Sequence, residues 1–279
     1  MKLGQLVELA QRFLPLPGPN DDKYSRGVTG FVTGGEDFPG AALLGIAAAL
    51  ACPVGMVRYV GPLRTADLIL LEHPEVVVTQ RASEAGRCQT WVLGSGVSPH
   101  DKPQVQNLTH VLQLQPTAVV DAGALEVLDF ERQSDSNLIL TPHHGEAARL
   151  LERVTGMSVA APATIQDAVS LATRLQAAVG HAVLLKGSTT VLVDATQGPL
   201  LVGPNSPHLA TAGSGDVLAG LLGGIGACVK GKVSWLEVAE FAVSLHSFAA
   251  EQLAKRQTVT ASAMAKELPS LVRQLQETP

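Results

Sequence analysis

The chain has 279 residues, of which 46% are hydrophobic and 16% charged, and this balance excludes a disordered or fibrous protein. Its net charge of −5 and its aromatic content of 4% provide neither the basic surface nor the stacking rings of nucleic-acid binders, so we expect no nucleic-acid partner. The composition favours a globular protein that binds a small molecule.

The beginning of the chain (1–16) predicts an amphipathic helix, and its charged residues Glu8 and Arg12 interrupt the apolar run that a signal peptide needs. A Pro-rich stretch separates this helix from the body at 23–279, and we treat the whole chain, 1–279, as one domain. Nothing in this region directs secretion, so we expect a cytoplasmic protein.

Segment 38–57 contains no charged residue, but its prolines, glycines and alanines indicate a buried helix rather than a membrane span. We therefore expect no membrane partner. Three cysteines lack the spacing of a zinc site or a disulfide framework and are predicted to be reduced core thiols: Cys52, Cys88 and Cys228.

Short apolar runs rich in β-branched residues recur along the chain and alternate with helical patterns. The predicted strands cover 30–33, 55–60, 76–79, 90–93, 118–121, 138–140, 182–185 and 191–194. Because most of these strands are apolar on both faces, they predict an α/β fold with a central, mainly parallel sheet covered by helices on both faces. A ligand should then bind at the carboxyl ends of the strands. The last third is predicted to be helical, over 213–229, 234–255 and 261–276.

The most informative segment is a glycine-rich turn, 211–216, that leads directly into a predicted helix. Gly213 and Gly215 allow the backbone amides to approach an anion closely, and the positive end of the helix adds to the attraction, so the turn is suited to a phosphate. Asp216 would be kept ionised by the helix dipole and could accept a proton from a hydroxyl that attacks the phosphate. The structural alternative is that Asp216 is an ordinary N-cap.

Two further segments follow predicted strands. In the first, His143 and His144 are adjacent and cannot form the i, i+4 zinc pair of a metalloprotease helix. Glu146 is either a functional acid or a simple first-turn acid, and the histidines are either ligand contacts or solvated loop residues. In the second, 185–190, a lysine and hydroxyl groups are suited to phosphate oxygens, although the pattern alone only predicts a hairpin.

The remaining candidates for a functional site are one more segment and the end of one predicted strand, and a further segment is rejected. Residues 94–96 begin like a dinucleotide-binding turn, but Pro99 stands where that turn needs a glycine. Asp121 lies at the end of a predicted strand and is a candidate active-site acid. Segment 226–232 has P-loop spacing, but Val233 replaces the required Ser or Thr, so we reject it.

Five segments in the right order resemble the NAD(P)H-hydrate dehydratases, a family with the ribokinase-like fold. They are 23–27, 39–44, 121–125, 141–146 and 210–220, the last reading Ala-Thr-Ala-Gly-Ser-Gly-Asp-Val-Leu-Ala-Gly. The resemblance implies a repair enzyme that removes water from the hydrated nicotinamide ring of damaged NADH or NADPH and consumes ADP or ATP. It also implies Mg²⁺ as a cofactor.

The resemblance implies a role for each candidate residue. Asp216 is the base that deprotonates the ring hydroxyl and contacts the hydrated cofactor, and Glu146 holds Mg²⁺ through a water. The implied nucleotide contacts are Lys186, Gly187, Ser188, Thr189, Thr190, Gly213, Ser214 and Gly215. The implied contacts with the hydrated cofactor are Ala42, Gly96 and His143, to which we add Asp121.

The sequence departs from the family pattern where His144 replaces a proline and where Gly94 to Ser98 replace a Gly-Pro-Gly-Leu-Gly-like turn. The epimerase domain of many relatives is not recognisable, so epimerisation is assigned to a separate protein. Relatives are often oligomeric, which predicts a homo-oligomer. Two other classes of function stay open: a ribokinase-like kinase of a vitamin precursor, and a nucleotide-binding module without catalysis.

Overall fold

A computed structural model describes residues 3–278, and within this range one twisted sheet passes through the molecule. The strands are β1 (Val28–Val32), β2 (Met56–Val60), β3 (Val77–Thr79), β4 (Thr90–Leu93), β5 (Thr117–Val120), β6 (Asn137–Leu140), β7 (Ala182–Leu185), β8 (Thr190–Val193) and β9 (Leu200–Val202). Their order across the sheet is β3-β2-β1-β4-β5-β6-β7-β8-β9. All neighbours from β3 to β7 are parallel, whereas β7, β8 and β9 are antiparallel.

The helices lie on both faces of this sheet. They are α1 (Leu3–Phe13), α2 (Pro39–Leu50), α3 (Leu63–Glu72), α4 (Lys102–Gln113), α5 (Gly123–Val127), α6 (His144–Thr155), α7 (Ile165–Val179), α8 (Ser214–Cys228), α9 (Trp235–Ala254) and α10 (Ala261–Glu277). The predicted α/β class with a mainly parallel sheet is therefore confirmed. The prediction that 1–279 is a single domain stays a prediction.

Two hydrophobic cores, one on each face, explain why the strands are apolar on both sides. In β4, Val92 points into the core that contains α1, α2, α8, α9 and α10, whereas Trp91 and Leu93 point into the core under α4, α5, α6 and α7. This alternation follows from the period of two in a strand. Because both faces are buried, a shift of one residue in the pairing would exchange side chains between two differently shaped cores.

Helix α8 packs closely on α2, and glycines make this contact possible. A Cβ on Gly220 would lie 2.0 Å from the carbonyl oxygen of Gly45, and a Cβ on Gly224 would lie 3.0 Å from the Cα of Ala49. Helix α8 is buried over most of its length, so the close contact fixes where its first turn lies. That first turn carries the glycine-rich segment singled out in the sequence.

Segment 38–57 contains the buried 12-residue helix α2, as predicted. Among the residues described, no helix combines the length and the apolar character that crossing a membrane requires. The cysteines are free, with Cys52 and Cys228 buried as expected and Cys88 only partly buried. The rejected P-loop-like segment begins in the last turn of α8 and does not follow a strand.

Candidate active site

A buried ion pair lies at the carboxyl ends of the central strands. Asp121 directly follows β5 and Lys186 directly follows β7, and the Lys186 Nζ lies 2.7 Å from the Asp121 Oδ1. The same Oδ1 accepts a hydrogen bond from the Thr141 hydroxyl at 2.9 Å, and Oδ2 accepts one from the Ser95 hydroxyl at 2.9 Å. The Asp121 side chain is only 5% exposed, so these three donors compensate for its loss of water.

Lys186 also reaches the first turn of α8, where Asp216 lies. A Cβ on Gly215 would be 3.7 Å from the Lys186 Nζ. Burial alone would lower the pKa of Lys186, but the neighbouring carboxylates of Asp121, Glu146 and Asp216 raise it, so the lysine is charged. The sequence placed Lys186 on the nucleotide side and Asp121 on the substrate side, and the structure joins them in one contact.

The glycine-rich turn has the form that anion binding requires. Gly213 is the N-cap of α8 and has a φ of 85°, a conformation that favours glycine. Within residues 3–278 the amides of Gly215 and Asp216 have no hydrogen-bond partner, so two donors remain for a ligand at the positive end of the helix. Ser214 differs, because its amide donates to Thr211 and its hydroxyl donates to Leu209.

The electrostatics of Asp216 correct the sequence-based expectation. We expected the helix dipole to keep this carboxyl ionised, but burial and the nearby charge of Asp121 raise its pKa from 3.8 to about 6, against the opposing effect of Lys186. The simple N-cap alternative is wrong as well, since Gly213 occupies the N-cap position. A carboxyl with this pKa is mostly ionised at neutral pH and is still a stronger base than an ordinary aspartate.

A cavity of about 420 Å³ opens beside this turn. Six of the predicted nucleotide contacts line it: Lys186, Gly187, Ser188, Thr190, Ser214 and Gly215. Thr189 and Gly213 do not line it, because Thr189 packs against Gly203 and a Cβ on Gly213 would meet Leu44. Pro207, Leu209, Leu218 and Val243 make the remaining wall apolar, which suits a planar base.

Sequence reasoning missed three polar residues of this cavity: Asn205, Ser206 and His246. Asn205 holds the turn between β7 and β8, because its Nδ2 donates to the Gly187 carbonyl at 3.0 Å and to the Thr190 hydroxyl at 2.9 Å. Asn205 follows β9, a three-residue strand after Pro199 that the sequence analysis also missed. Recognising β9, which pairs with β8, would have indicated that the segment after β9 lies next to the turn between β7 and β8.

The predicted contacts with the hydrated cofactor lie at the same edge of the sheet. His143 follows β6 and pairs its backbone with Lys186, and its ring is exposed. Gly96 has a φ of 68°, and a Cβ there would lie 3.3 Å from the Cα of Gly34. Ala42 is fully buried, and its methyl lies 2.9 Å from a Cβ position on Gly34, so in this structure it shapes the loop and offers no surface of its own.

Glu146 is a first-turn acid of α6 and completes a capping box. Its Oε2 accepts the His143 amide at 2.8 Å, while the His143 Nδ1 accepts the Gly145 amide at 3.0 Å. In the part of the chain that the structure covers, no cluster of three or more potential metal ligands occurs. Mg²⁺ usually takes one or two carboxylates, waters and substrate phosphates, so Glu146 beside Lys186 fits a role through water without a dedicated cage.

A larger cavity of about 660 Å³ lies at the opposite edge, beside the amino ends of β4 and β5. It contains none of the predicted site residues and includes part of the rejected P-loop-like segment. Because ligands of open parallel sheets bind at the carboxyl ends of the strands, we place the active site in the smaller cavity.

A family model described as NAD(P)H-hydrate dehydratase matches residues 29–270. The chain belongs to this family. It is 40% identical over 227 residues to the bifunctional NAD(P)H-hydrate repair enzyme Nnr of Mycobacterium tuberculosis, a match that covers 79% of this chain and 45% of the relative. The chain thus spans less than half of that relative's length. It is also 32% identical to an ADP-dependent (S)-NAD(P)H-hydrate dehydratase of Xanthomonas campestris, over 93% of this chain and 91% of the relative.

Solved structures agree with this membership. The ADP/ATP-dependent NAD(P)H-hydrate dehydratase of Bacillus subtilis, co-crystallised with ATP/Mg²⁺, matches with a TM-score of 0.80 and 25% identity, over 96% of this chain and 97% of that one. A ribokinase-like superfamily protein of Enterococcus faecalis matches 98% of this chain and 95% of that one, with a TM-score of 0.78 and 22% identity. The expected ribokinase-like fold is therefore confirmed.

Proposed function

We propose that this protein uses ADP or ATP, with Mg²⁺, to remove water from the hydrated nicotinamide ring of NADH or NADPH and so restores the reduced cofactor. The observation that carries the proposal is Asp216, a carboxyl with a raised pKa, beside a charged lysine at the edge of a cavity. The amides of Asp216 and Gly215 have no partner within residues 3–278. Family membership and the names of the relatives support the choice of substrate.

The chemistry requires a better leaving group, because hydroxide departs poorly from the ring. Asp216 accepts the proton of the ring hydroxyl while the hydroxyl oxygen attacks the terminal phosphorus of the nucleotide and the bond to the bridging oxygen breaks. The nitrogen lone pair of the ring then expels inorganic phosphate, and loss of a proton from the adjacent ring carbon restores the double bond. Each turnover consumes one hydrated cofactor and one nucleotide, and it releases one reduced cofactor, one shortened nucleotide and one phosphate.

The residues of the cleft divide this work. The amides of Gly215 and Asp216 and the Lys186 ammonium bind the phosphoryl oxygens, where charge develops during transfer. His143 and the loop at Gly96 form the exposed side of the cleft, and we assign the hydrated cofactor to this side. Mg²⁺ would neutralise phosphate charge, and Glu146 would hold it through a water. Thr190 is buried and, together with Gly187, contacts Asn205, so it acts by shaping the turn.

The decisive experiment measures three quantities in one time course: reduced nicotinamide by absorbance, nucleotide cleaved and inorganic phosphate released. We expect a ratio of one to one to one with hydrated NADH or NADPH. A stable phosphorylated product without free phosphate would identify a kinase, and nucleotide binding without turnover would identify a binding module. Dehydration without nucleotide cleavage would refute the phosphorylation step.

The proposal also covers a related activity, the oligomeric state and the cellular location. The bifunctional name and the greater length of the Mycobacterium tuberculosis relative support a second activity on the same metabolite. For this protein we propose that the second activity is epimerisation and that a separate protein carries it. We also propose a cytoplasmic homo-oligomer, which light scattering after size-exclusion chromatography and fractionation of cells would test. A monomer at micromolar concentration would contradict the oligomer.

A further inference from the structure

Among the described residues, His246 has a buried ring nitrogen without a hydrogen-bond partner, at the wall of the nucleotide cavity. The residue lies on α9, is 4% exposed and lines the 420 Å³ cavity. Its Nε2 makes no hydrogen bond to any part of the chain between residues 3 and 278. Buried polar atoms are nearly always hydrogen-bonded, so an unpartnered one in a side chain that lines a cavity indicates a group that the ligand brings.

The surroundings determine which group that must be. Burial lowers the pKa of His246 to about 4, so the ring is neutral near pH 7. A hydrogen bond with the Ser214 backbone opposes this shift. Because Nε2 has no partner within residues 3–278, we assign that bond and the ring proton to Nδ1, which donates to the Ser214 carbonyl. The free Nε2 is therefore an acceptor and requires a donor from the ligand.

The position of His246 indicates the part of the nucleotide that supplies this donor. Lys186 and the amide of Gly215 form the phosphate end of the cavity, whereas Leu209, Leu218 and Val243 form its apolar wall. Val243 lies one helical turn before His246 on α9, so the acceptor belongs to the wall against which a base would pack. Ser206 Oγ is also buried without a partner there, but a hydroxyl can donate or accept and so cannot discriminate between bases.

We propose that His246 Nε2 accepts a hydrogen bond from the exocyclic amino group of adenine and thereby selects adenine nucleotides. Guanine and hypoxanthine carry a carbonyl oxygen at that place, and an oxygen facing Nε2 would leave two buried acceptors unpaired. This assignment takes one element from the proposed function, which is that the nucleotide binds in this cavity. It does not depend on which alcohol is phosphorylated.

Calorimetric titration in the presence of Mg²⁺ tests the assignment with four nucleotides: ADP, IDP, purine riboside diphosphate, which lacks the amino group, and 2′-deoxy-ADP. For the wild-type protein we expect ADP to bind at least about tenfold more tightly than IDP or purine riboside diphosphate. Equal affinities for these three nucleotides would overturn the assignment without any variant. In His246→Leu, the preference for ADP should fall close to one.

Matched variants separate base recognition from a structural role. His246→Gln keeps an acceptor and should retain most of the preference, whereas His181→Leu, at the amino end of β7 and outside the cavity, should leave every ratio unchanged. The assignment fails if His246→Leu lowers the affinity for all four nucleotides equally. It also fails if the variant abolishes the preference for ADP over 2′-deoxy-ADP instead, because the contact is then not with the amino group. Melting curves confirm that each variant is folded.

The two proposals fail independently. A protein that selects ADP but does not act on hydrated NADH retains the base assignment and loses the proposed function. A protein that dehydrates hydrated NADH equally well with ADP and GDP retains the function and loses the assignment.

Discussion

Replacing Asp216 by asparagine should slow turnover and stabilise the fold at the same time. Turnover falls because asparagine cannot accept the hydroxyl proton, and loss of a general base costs about 10² to 10⁴ in rate. The fold gains stability because the carboxylate is buried near the negative charge of Asp121, which raises its pKa from 3.8 to about 6. Asparagine keeps the size and a polar oxygen of the side chain, yet it carries no charge.

The pKa gives the size of the stability effect. The rise in the pKa of Asp216 from 3.8 to about 6 corresponds to at most about 3 kcal/mol of lost stability above pH 6. Water still reaches part of the carboxyl, so we expect a gain of about 1 to 2 kcal/mol. For a chain of this size that gain raises Tm by roughly 3 to 6 °C.

The effect must depend on pH with a defined sign. Above pH 6 both the folded and the unfolded protein carry an ionised Asp216, and the folded protein pays the full burial penalty. As the pH falls from about 6 toward 3.8, the folded protein takes up the proton first, so the penalty of the wild type disappears. The difference in Tm between Asp216→Asn and the wild type should therefore be largest at pH 8 and small at pH 4.5.

Asp167→Asn provides the matched control, because the same substitution should have the opposite sign there. Asp167 closes the capping box of α7, and hydrogen bonds from Thr164 lower its pKa. Removing its charge should therefore lower Tm at pH 8. If Asp216→Asn is no more stable than the wild type at pH 8, or if its advantage does not shrink at pH 4.5, the buried-charge reasoning is refuted.

Three further predictions follow from the site and from the helix contact. When phosphoryl transfer limits the rate, kcat/KM should rise with pH through about 6 and then level off, and a kcat/KM independent of pH from 5 to 8 would exclude Asp216 as the base. Lys186→Met should destabilise the protein by up to about 3 kcal/mol because Asp121 loses its cation, and adding Asp121→Asn should recover most of that loss in urea melts. Gly220→Ala should cost about 3 kcal/mol or more because its methyl would overlap a carbonyl of α2, whereas Gly198→Ala, with open space around it, should be neutral.

The sequence predicted the sheet well because the strands from β1 to β8 are short runs of mostly apolar residues, although β2 contains Arg58. The runs at 90–93 and 182–185 coincide with β4 and β7, and the other predicted runs differ from the observed strands by one or two residues at one or both ends. Strand β9 was not predicted because it has only three residues, one of which is exposed, and because it follows a proline. Such a strand is held by pairing with β8, and its own composition does not indicate it.

The candidate site shows a different limit. Local patterns identified Asp121, Lys186 and Asp216 separately, because each follows a strand or begins a helix. Their mutual contacts depend on the order of β5 and β7 in the sheet and on the packing of α8 against α2, which no local pattern encodes. For the same reason the helix dipole alone predicts an ionised Asp216 and does not reveal that burial and Asp121 raise the pKa of this carboxyl.

The hydrogen bonds of Asp121 suggest how one lysine can serve both a carboxylate and a phosphate. Asp121 has two hydroxyl donors, Thr141 and Ser95, in addition to Lys186. If the Lys186 ammonium turns toward an incoming phosphate, the two hydroxyl bonds remain and Asp121 is not left without partners. Asp121 therefore holds the lysine charged and oriented before the nucleotide binds, and the hydroxyls reduce the cost of releasing it. By this argument Thr141 and Ser95 support the proposed phosphate site through Asp121, and neither has to touch the nucleotide.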